Sequence, residues 1–389
     1  MMLTRNLIFK NFKNSISKKK LKNKIKNFYN INLTHEYPLL KSFNQNYKYS
    51  YKKNFIKKFN KNFYFNIIGM GGSVLGTEAI YSFLNHKIKK KFEFINNLNP
   101  KTKKTKNSVN IIISKSGETL ETISNFHILQ KLNKSKNNIF ISEHNKNYIR
   151  KIAARLKCEI IEHKNYIGGR YSVLSEVGML PAEIMGLQEK KFKKLNILIK
   201  NKKFVENLII NVENTLKFIN QKKVNSIILN YDEKSDNLFR WYQQLIAESL
   251  GKKSKGLIPI ISSMPKDNHS LLQLYLDGPK NSFFTFYNVM NDSSDIISPK
   301  YVLKSKNYLK NKSLNNIINA QKLATQKVFS KKNIPFRIFE IKKRSEETLG
   351  ELFSFFVLET ILLGRALNIN PFDQPAVELI KTETRKILS

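Results

Sequence analysis

Apolar residues recur along this chain in two rhythms: short runs bounded by turn formers, and longer stretches with helical spacing. The first clear run is Phe63 to Ile68, which leads into Gly69-Met70-Gly71-Gly72-Ser73 and then a helical pattern from Val74 to Leu84. A second run, Asn110 to Ile113, leads into Ser114-Lys115-Ser116-Gly117-Glu118-Thr119 and a helix ending near Leu132. Further strands are expected at Lys91 to Ile95, Asn138 to Ser142 and Glu159 to Glu162. Strands that alternate with helices at this spacing predict a parallel sheet covered on both faces.

The rhythm then starts again. Lys-rich sequence near 189 to 203 reads as weakly structured and is followed by a helix to about Gln221. Strands are expected at Ser226 to Asn230, Leu257 to Ser262, Phe283 to Val289 and Phe336 to Ile341. Helices between them cover Asp236 to Leu250, His269 to Leu276 and Leu314 to Phe329, and two more close the chain. The expected organisation is a basic N-terminal arm over residues 1–60, a first α/β domain over 61–200 and a second over 201–389 that ends in a C-terminal helix. The arm carries patchy apolar positions (Leu7, Ile8, Phe9, Phe12, Ile16) and is expected to dock on a domain in extended or helical form.

Length fits this division, since 389 residues exceed one ordinary domain and suit two. The longest apolar run, Phe353 to Leu363, is broken by Glu359 and falls short of the roughly 20 residues that span a bilayer. The N-terminus offers no secretory signal, and Cys158 is the only cysteine, so a cytoplasmic protein without an internal disulfide is expected. A net charge of +40 raises the question of nucleic acid. The charge is unevenly spread, however. Residues 1 to 60 hold fifteen basic groups against the single acid Glu36, whereas residues 341 to 389 hold seven of each sign. The excess is lysine mixed with Asn and Ile throughout, and no nucleic-acid-binding signature accompanies it. No dedicated nucleic-acid or membrane partner is expected.

The chemistry concentrates at the two Gly/Ser loops. Each follows a strand and opens a helix, so backbone N–H groups and the helix dipole point beyond the strand end, a geometry that selects an anion. Ser114, Ser116, Thr119 and Thr122 supply neutral hydroxyl donors, and Ser73 adds another. A dinucleotide fingerprint starting at Gly69 and Gly71 fails because its last position falls on Val74, and no phosphate-loop lysine pattern surrounds Lys115. Two such loops on successive α/β units of one domain favour a phosphate site. The histidines His35, His86, His127, His144, His163 and His269 show no pairing with one another or with Cys158 at metal-ligand spacing, so no metal is expected.

The stretch Ser114-Lys-Ser-Gly-Glu-Thr-Leu-Glu-Thr122 resembles the phosphate loop of the sugar isomerase (SIS) domain. Four more stretches narrow the resemblance to the glucose-6-phosphate isomerase family: IGMGGSVLG from Ile68, GGRYSVLSEVGMLP from Gly168, QQLIAESLGK from Gln243 and FDQPAVELIK from Phe372. The resemblance covers about residues 64 to 386. It implies an α/β fold of two unequal SIS-type α/β/α sandwiches with parallel-rich central sheets. It also implies reversible isomerisation of glucose 6-phosphate to fructose 6-phosphate through a cis-enediol, with no cofactor, in a homodimer whose active sites are shared.

By motif position, Glu248 matches the family's catalytic base and Arg170 the arginine that steadies the enediolate. His269 matches the histidine that helps open the sugar ring, which in the family enters from the neighbouring subunit. Lys381 matches a lysine with a neighbouring proton-transfer and binding role. Gly72, Ser73, Ser114, Lys115, Ser116, Thr119, Gln244 and Gln374 fall at substrate or phosphate contacts. The residues themselves support part of this. Gln244 and Glu248 lie four apart on one expected helix and share a face, and a carboxylate suits proton abstraction if partial burial raises its pKa. A fixed guanidinium charge suits an oxyanion. Gln374 is expected two helical turns before Lys381 on the same side. Glu118 stands within the phosphate loop, where a carboxylate is unfavourable unless Lys115 offsets it or it points outward. Pro375-Ala376 and Ile380 also depart from the family pattern. Two rival readings remain at this point: an isomerase that also accepts mannose 6-phosphate, and a non-catalytic SIS sensor of sugar phosphates.

Overall fold

The computed structural model describes residues 2–13, 17–98, 108–133, 137–290 and 294–389, so Ile16 of the arm lies outside the described residues. Among the described residues ten strands form two five-stranded sheets. In the first, β2 (Tyr64–Gly69), β3 (Lys91–Ile95), β4 (Val109–Ile113), β5 (Asn138–Ser142) and β6 (Glu159–Glu162) lie parallel in the order β3-β2-β4-β5-β6. Every residue of β4 and β5 is buried, which explains why both are mostly apolar, with Asn110 and Asn138 among the buried polar exceptions. β2 turns back to one side and β4 continues on the other, and Gly69 is in register with Ile113. The loops after β2 and β4 therefore leave neighbouring strand ends at the point where strand order reverses, the place where open α/β sheets hold ligands.

In the second sheet β7 (Asn225–Asn230), β8 (Ile258–Ser263), β9 (Ser282–Val289) and β10 (Phe336–Ile341) are parallel, in the order β10-β9-β7-β8. The fifth strand comes from the N-terminal arm. β1 (Leu7–Lys10) pairs antiparallel with β10, with Leu7 opposite Ile341 and Phe9 opposite Phe339. Phe9 packs at a tilt on Phe339, ring centroids 4.6 Å apart, and Phe12 meets Phe218 edge-on at 4.9 Å. The arm thus covers what would be an open sheet edge. The helix Lys18–Tyr29 follows, and its Lys20 and Lys24 reach Glu213 at 2.8 and 2.5 Å.

One apolar cluster joins the two sheets, running from Ile67, Ile111 and Ile139 through Trp241, Leu245 and Leu352 to Ile228, Phe339 and Ile341. The helices Asp236–Leu250 and Glu346–Ala366 carry it, and Trp241 packs edge-on against Phe353 at 4.7 Å. Within this core Arg337 is 1% exposed and donates to Thr285 (2.9 Å), Asn211 (2.7 Å), Tyr242 (3.3 Å) and the Glu359 carboxylate. Removing one member of a buried pair leaves an uncompensated charge. Arg337→Met is expected to cost about 3–5 kcal/mol of stability, read as a lower midpoint in urea denaturation; an unchanged midpoint would show that Glu359 needs no counter-ion.

The sequence around 189 to 203 is more ordered than its composition suggests. Helices Glu189–Phe192, Leu195–Lys200 and the start of Lys202–Asn220 occupy it, and Phe192, Lys193, Leu195 and Leu198 are buried. The expected helix from His269 is also shorter, covering Leu272–Asp277 after a 3-10 turn at Lys266–Asn268. Among the described residues no helix is long and apolar enough to cross a membrane.

Candidate active site

The loop after β2 is a 3-10 turn, Gly71–Ser73, feeding the helix Leu75–Phe83. Gly71 has φ +51°, and a Cβ there would lie 2.7 Å from Gln244 Nε2. A Cβ on Gly72 would fall 2.2 Å from the Gly169 carbonyl carbon and 2.4 Å from Arg170 N. These glycines let the first loop press against both the Gln244 helix and the turn that carries Arg170. Gly72→Ala must separate the two loops, and displacing a reacting group by about 1 Å costs roughly 10²-fold. A drop of that size in kcat/KM is expected for G72A, and activity within twofold of the unmodified protein would contradict this packing.

Arg170 lies in the 3-10 turn Gly169–Leu174 and is 2% exposed. Its guanidinium uses all its sides. Nε donates to Ser249 Oγ (2.8 Å), Nη1 to Glu248 (3.0 Å) and Gln374 Oε1 (2.8 Å), and Nη2 to the carbonyls of Pro371 (2.6 Å) and Asp373 (3.1 Å). The indole of Trp241 donates to the Arg170 carbonyl at 3.1 Å. Tyr171 bonds Ser249 (2.8 Å) and donates to the Pro371 carbonyl (3.0 Å); burial pushes its phenol pKa up, against the opposing pull of Arg170, so it serves as a neutral donor. Asp373 faces away, held by Lys252 (2.7 Å), which depresses its pKa, and by Asn370 (3.0 Å). Three separate motifs thus meet at one guanidinium.

Glu248 stands on the helix Asp236–Leu250, one turn beyond Gln244, whose amide donates to it at 3.1 Å. Arg170 and Gln244 hold one carboxylate oxygen each, which aims the side chain. Its side chain keeps 33% exposure, the partial burial that was expected, and one side remains open to a ligand. The Gln244 carbonyl oxygen is buried without a hydrogen-bond partner among the described residues.

The loop after β4 turns at Gly117 (φ +69°), where a Cβ would lie 2.1 Å from Asn147 Oδ1. Ser114 is buried, bonds Thr119 at 2.9 Å and accepts from Gly117 N at 3.1 Å. Ser116 is exposed at the loop tip and accepts from Glu118 N at 3.2 Å. The hydroxyl of Thr122 is buried and has no hydrogen-bond partner among the described residues. Glu118 is turned outward, its carboxylate accepting from Tyr148 N at 2.7 Å at the start of the helix Tyr148–Arg155. That removes the expected conflict with an anion. Lys115 does not point along the loop; it donates to the Asn165 carbonyl at 2.8 Å and pairs with Glu143 at 3.2 Å.

Two expected residues stand apart. His269 is exposed after the 3-10 turn beyond β8, and among the described residues its side chain bonds none of the groups around Arg170. Lys381 pairs with Glu378 at 2.6 Å on the helix Ala376–Leu388, which buries no residue. That helix begins after Gln374, with Pro375 as its N-cap, so Gln374 and Lys381 do not share one helical face as the spacing suggested. Sequence reading missed Ser249, Tyr171 and Trp241, which orient Arg170. The first two flank Glu248 and Arg170 directly, but nothing in their spacing shows that the two motifs meet. No group of three or more His, Cys, Asp or Glu able to hold a metal occurs among the described residues.

The sequence profile of the phosphoglucose isomerase family matches residues 39–389. The chain is 34% identical over 357 residues to a glucose-6-phosphate isomerase of Mycoplasmopsis pulmonis, covering 83% of this chain and 82% of that one. It is 31% identical over 345 residues to a probable glucose-6-phosphate isomerase of Methanococcus maripaludis, covering 83% and 78%. In fold it superposes on a hypothetical protein of Thermus thermophilus with TM-score 0.82 at 22% identity, covering 95% of each chain. It superposes on a glucose-6-phosphate isomerase of Chlamydia trachomatis with TM-score 0.76 at 17% identity, covering 99% of this chain and 89% of that one. A site that gathers the motifs at one buried arginine, on two SIS-type sheets, and a profile that spans nearly the whole sequence lead to one conclusion: the chain belongs to the phosphoglucose isomerase family.

Proposed function

We propose that this chain interconverts glucose 6-phosphate and fructose 6-phosphate, with Glu248 as the base and Arg170 as the stabiliser of the enediolate. The observation that carries this assignment is the 3.0 Å contact between Arg170 and Glu248 beside the Gly71–Ser73 turn. A carboxylate aimed by two donors takes the proton from the second sugar carbon and returns it to the first. In between, negative charge grows on the sugar oxygens, and the guanidinium, held in place by Ser249 and two carbonyls, faces it with a fixed positive charge. The phosphate is assigned to the C-terminal ends of β2 and β4, with Ser114, Ser116, Thr119 and the unpartnered Thr122 hydroxyl as donors together with Gly72 and Ser73. Lys115, engaged by Glu143, contributes positive charge from behind the loop.

Ring opening falls to His269. Its separation from Arg170 within one chain, and the exposed apolar residues Leu379, Ile380 and Ile387 of the last helix, favour a homodimer in which the partner subunit's His269 completes the site. Lys381 on that helix is assigned the neighbouring binding role once the helix is covered. A coupled assay that follows glucose 6-phosphate formed from fructose 6-phosphate, with EDTA present, tests the reading. Sustained turnover is expected, and no turnover by folded protein that still binds the sugar phosphate would refute it.

A further inference from the structure

The turn that presents Arg170 ends at Leu174, and what holds that end is a buried lysine. Lys193 is 2% exposed and donates to the carbonyls of Leu174 and Ser42. Its ammonium lies over the rings of Tyr47 (5.3 Å) and Tyr49 (5.0 Å). Three carboxylates act on it: Glu176 and Glu183 from the helix Glu176–Ile184 and Glu189 from the short helix Glu189–Phe192. Each carboxylate is held by one tyrosine of a single stretch. Tyr47 donates to Glu176 at 3.0 Å, Tyr49 to Glu189 at 3.3 Å and Tyr51 to Glu183 at 3.1 Å, while Ser50 N also bonds Glu176 at 3.0 Å. Tyr166 lies near Tyr47 and Glu176, and the charges of Lys164 and Lys53 act on Glu176 and Glu183.

In a chain of 69 basic and 29 acidic residues, gathering three acids around one buried lysine goes against both composition and desolvation. Apolar residues of similar volume serve plain stability as well or better. The charges therefore need a purpose beyond filling the core, and the Leu174 carbonyl shows where the force is applied: four residues from Arg170, at the point where the turn passes into the next helix.

We propose that Lys193 is a positioning residue for the isomerisation, clamping the end of the Arg170 turn to the Ser42 to Tyr51 segment so that the guanidinium is fixed where the enediolate forms. The inference rests on the role given to Arg170 above. Burial holds the Lys193 ammonium far below the usual lysine range, at about 7, with Glu189, Glu176 and Glu183 pulling the other way. The charged clamp therefore weakens as pH rises through neutrality.

The test is a double-mutant cycle on turnover. Lys193→Met is expected to lower kcat about tenfold with KM changed less than twofold. In an Arg170→Gln background the same substitution is expected to change kcat less than twofold, because the group it positions is gone. Equal losses in both backgrounds overturn the proposal, as does unchanged kcat in K193M. If K193M does not fold, Glu189→Gln decides. Loss of one counter-charge is expected to move the alkaline limb of the kcat profile to lower pH, and an unmoved limb overturns the proposal. Failure of the underlying reading looks different: the unmodified chain would not isomerise, or R170Q would match it.

Discussion

Glu248→Gln is expected to reduce kcat by about 10²- to 10⁴-fold, the contribution of a positioned base to proton transfer, with KM shifted by less than about threefold. The substitution is close to isosteric. A glutamine carbonyl oxygen still accepts from Arg170 Nη1, so the 3.0 Å contact that fixes the guanidinium survives and the phosphate loop is untouched. What is lost is the ability to take a proton from carbon. Steady-state kinetics together with direct binding of sugar phosphate separates the two effects. A sensor of the same fold would lose nothing in binding and would have no turnover to lose.

Arg170→Gln is expected to cost about 10²- to 10³-fold in kcat, the loss typical when one preorganised donor to a developing oxyanion is removed. Stability should fall too, because Ser249 and the Pro371 and Asp373 carbonyls lose their donor and the Pro371 side of the site is buried. Assays on protein shown to be folded by its melting curve keep the effects apart. A kcat within tenfold of the unmodified protein would mean that the enediolate is steadied elsewhere.

Nine of the ten strands among the described residues were legible in the sequence to within one or two residues, because most are buried parallel strands that read as apolar runs closed by turn formers. β1 was not, since four residues of an edge strand carry too little periodic signal and only pairing with β10 makes them a strand. The Lys-rich stretch around Lys193 was misread for a related reason. Composition marks lysine as solvated, and only the convergence of Glu176, Glu183 and Glu189 makes burial tolerable.

The site was legible motif by motif but not as an assembly. Gln244 and Glu248 were paired by helical spacing, and the structure joins them at 3.1 Å. That Arg170 meets Glu248, 78 residues away, depends on two helices and a shared core that local pattern cannot express. The relation of Gln374 to Lys381 failed because Pro375 caps a new helix between them. Lys115 and Glu118 show the same limit at smaller scale. Both lie in the phosphate loop, yet their heads are claimed by Glu143 and by the Tyr148 amide.

Isotope exchange tests the central claim most directly. Fructose 6-phosphate converted in deuterium oxide and examined by proton NMR should give glucose 6-phosphate that carries deuterium at its second carbon in a fraction of the molecules. Glu248→Gln should abolish both conversion and label. Product that retains all its carbon-bound hydrogen, or labelling that proceeds undiminished in E248Q, would contradict proton transfer by Glu248.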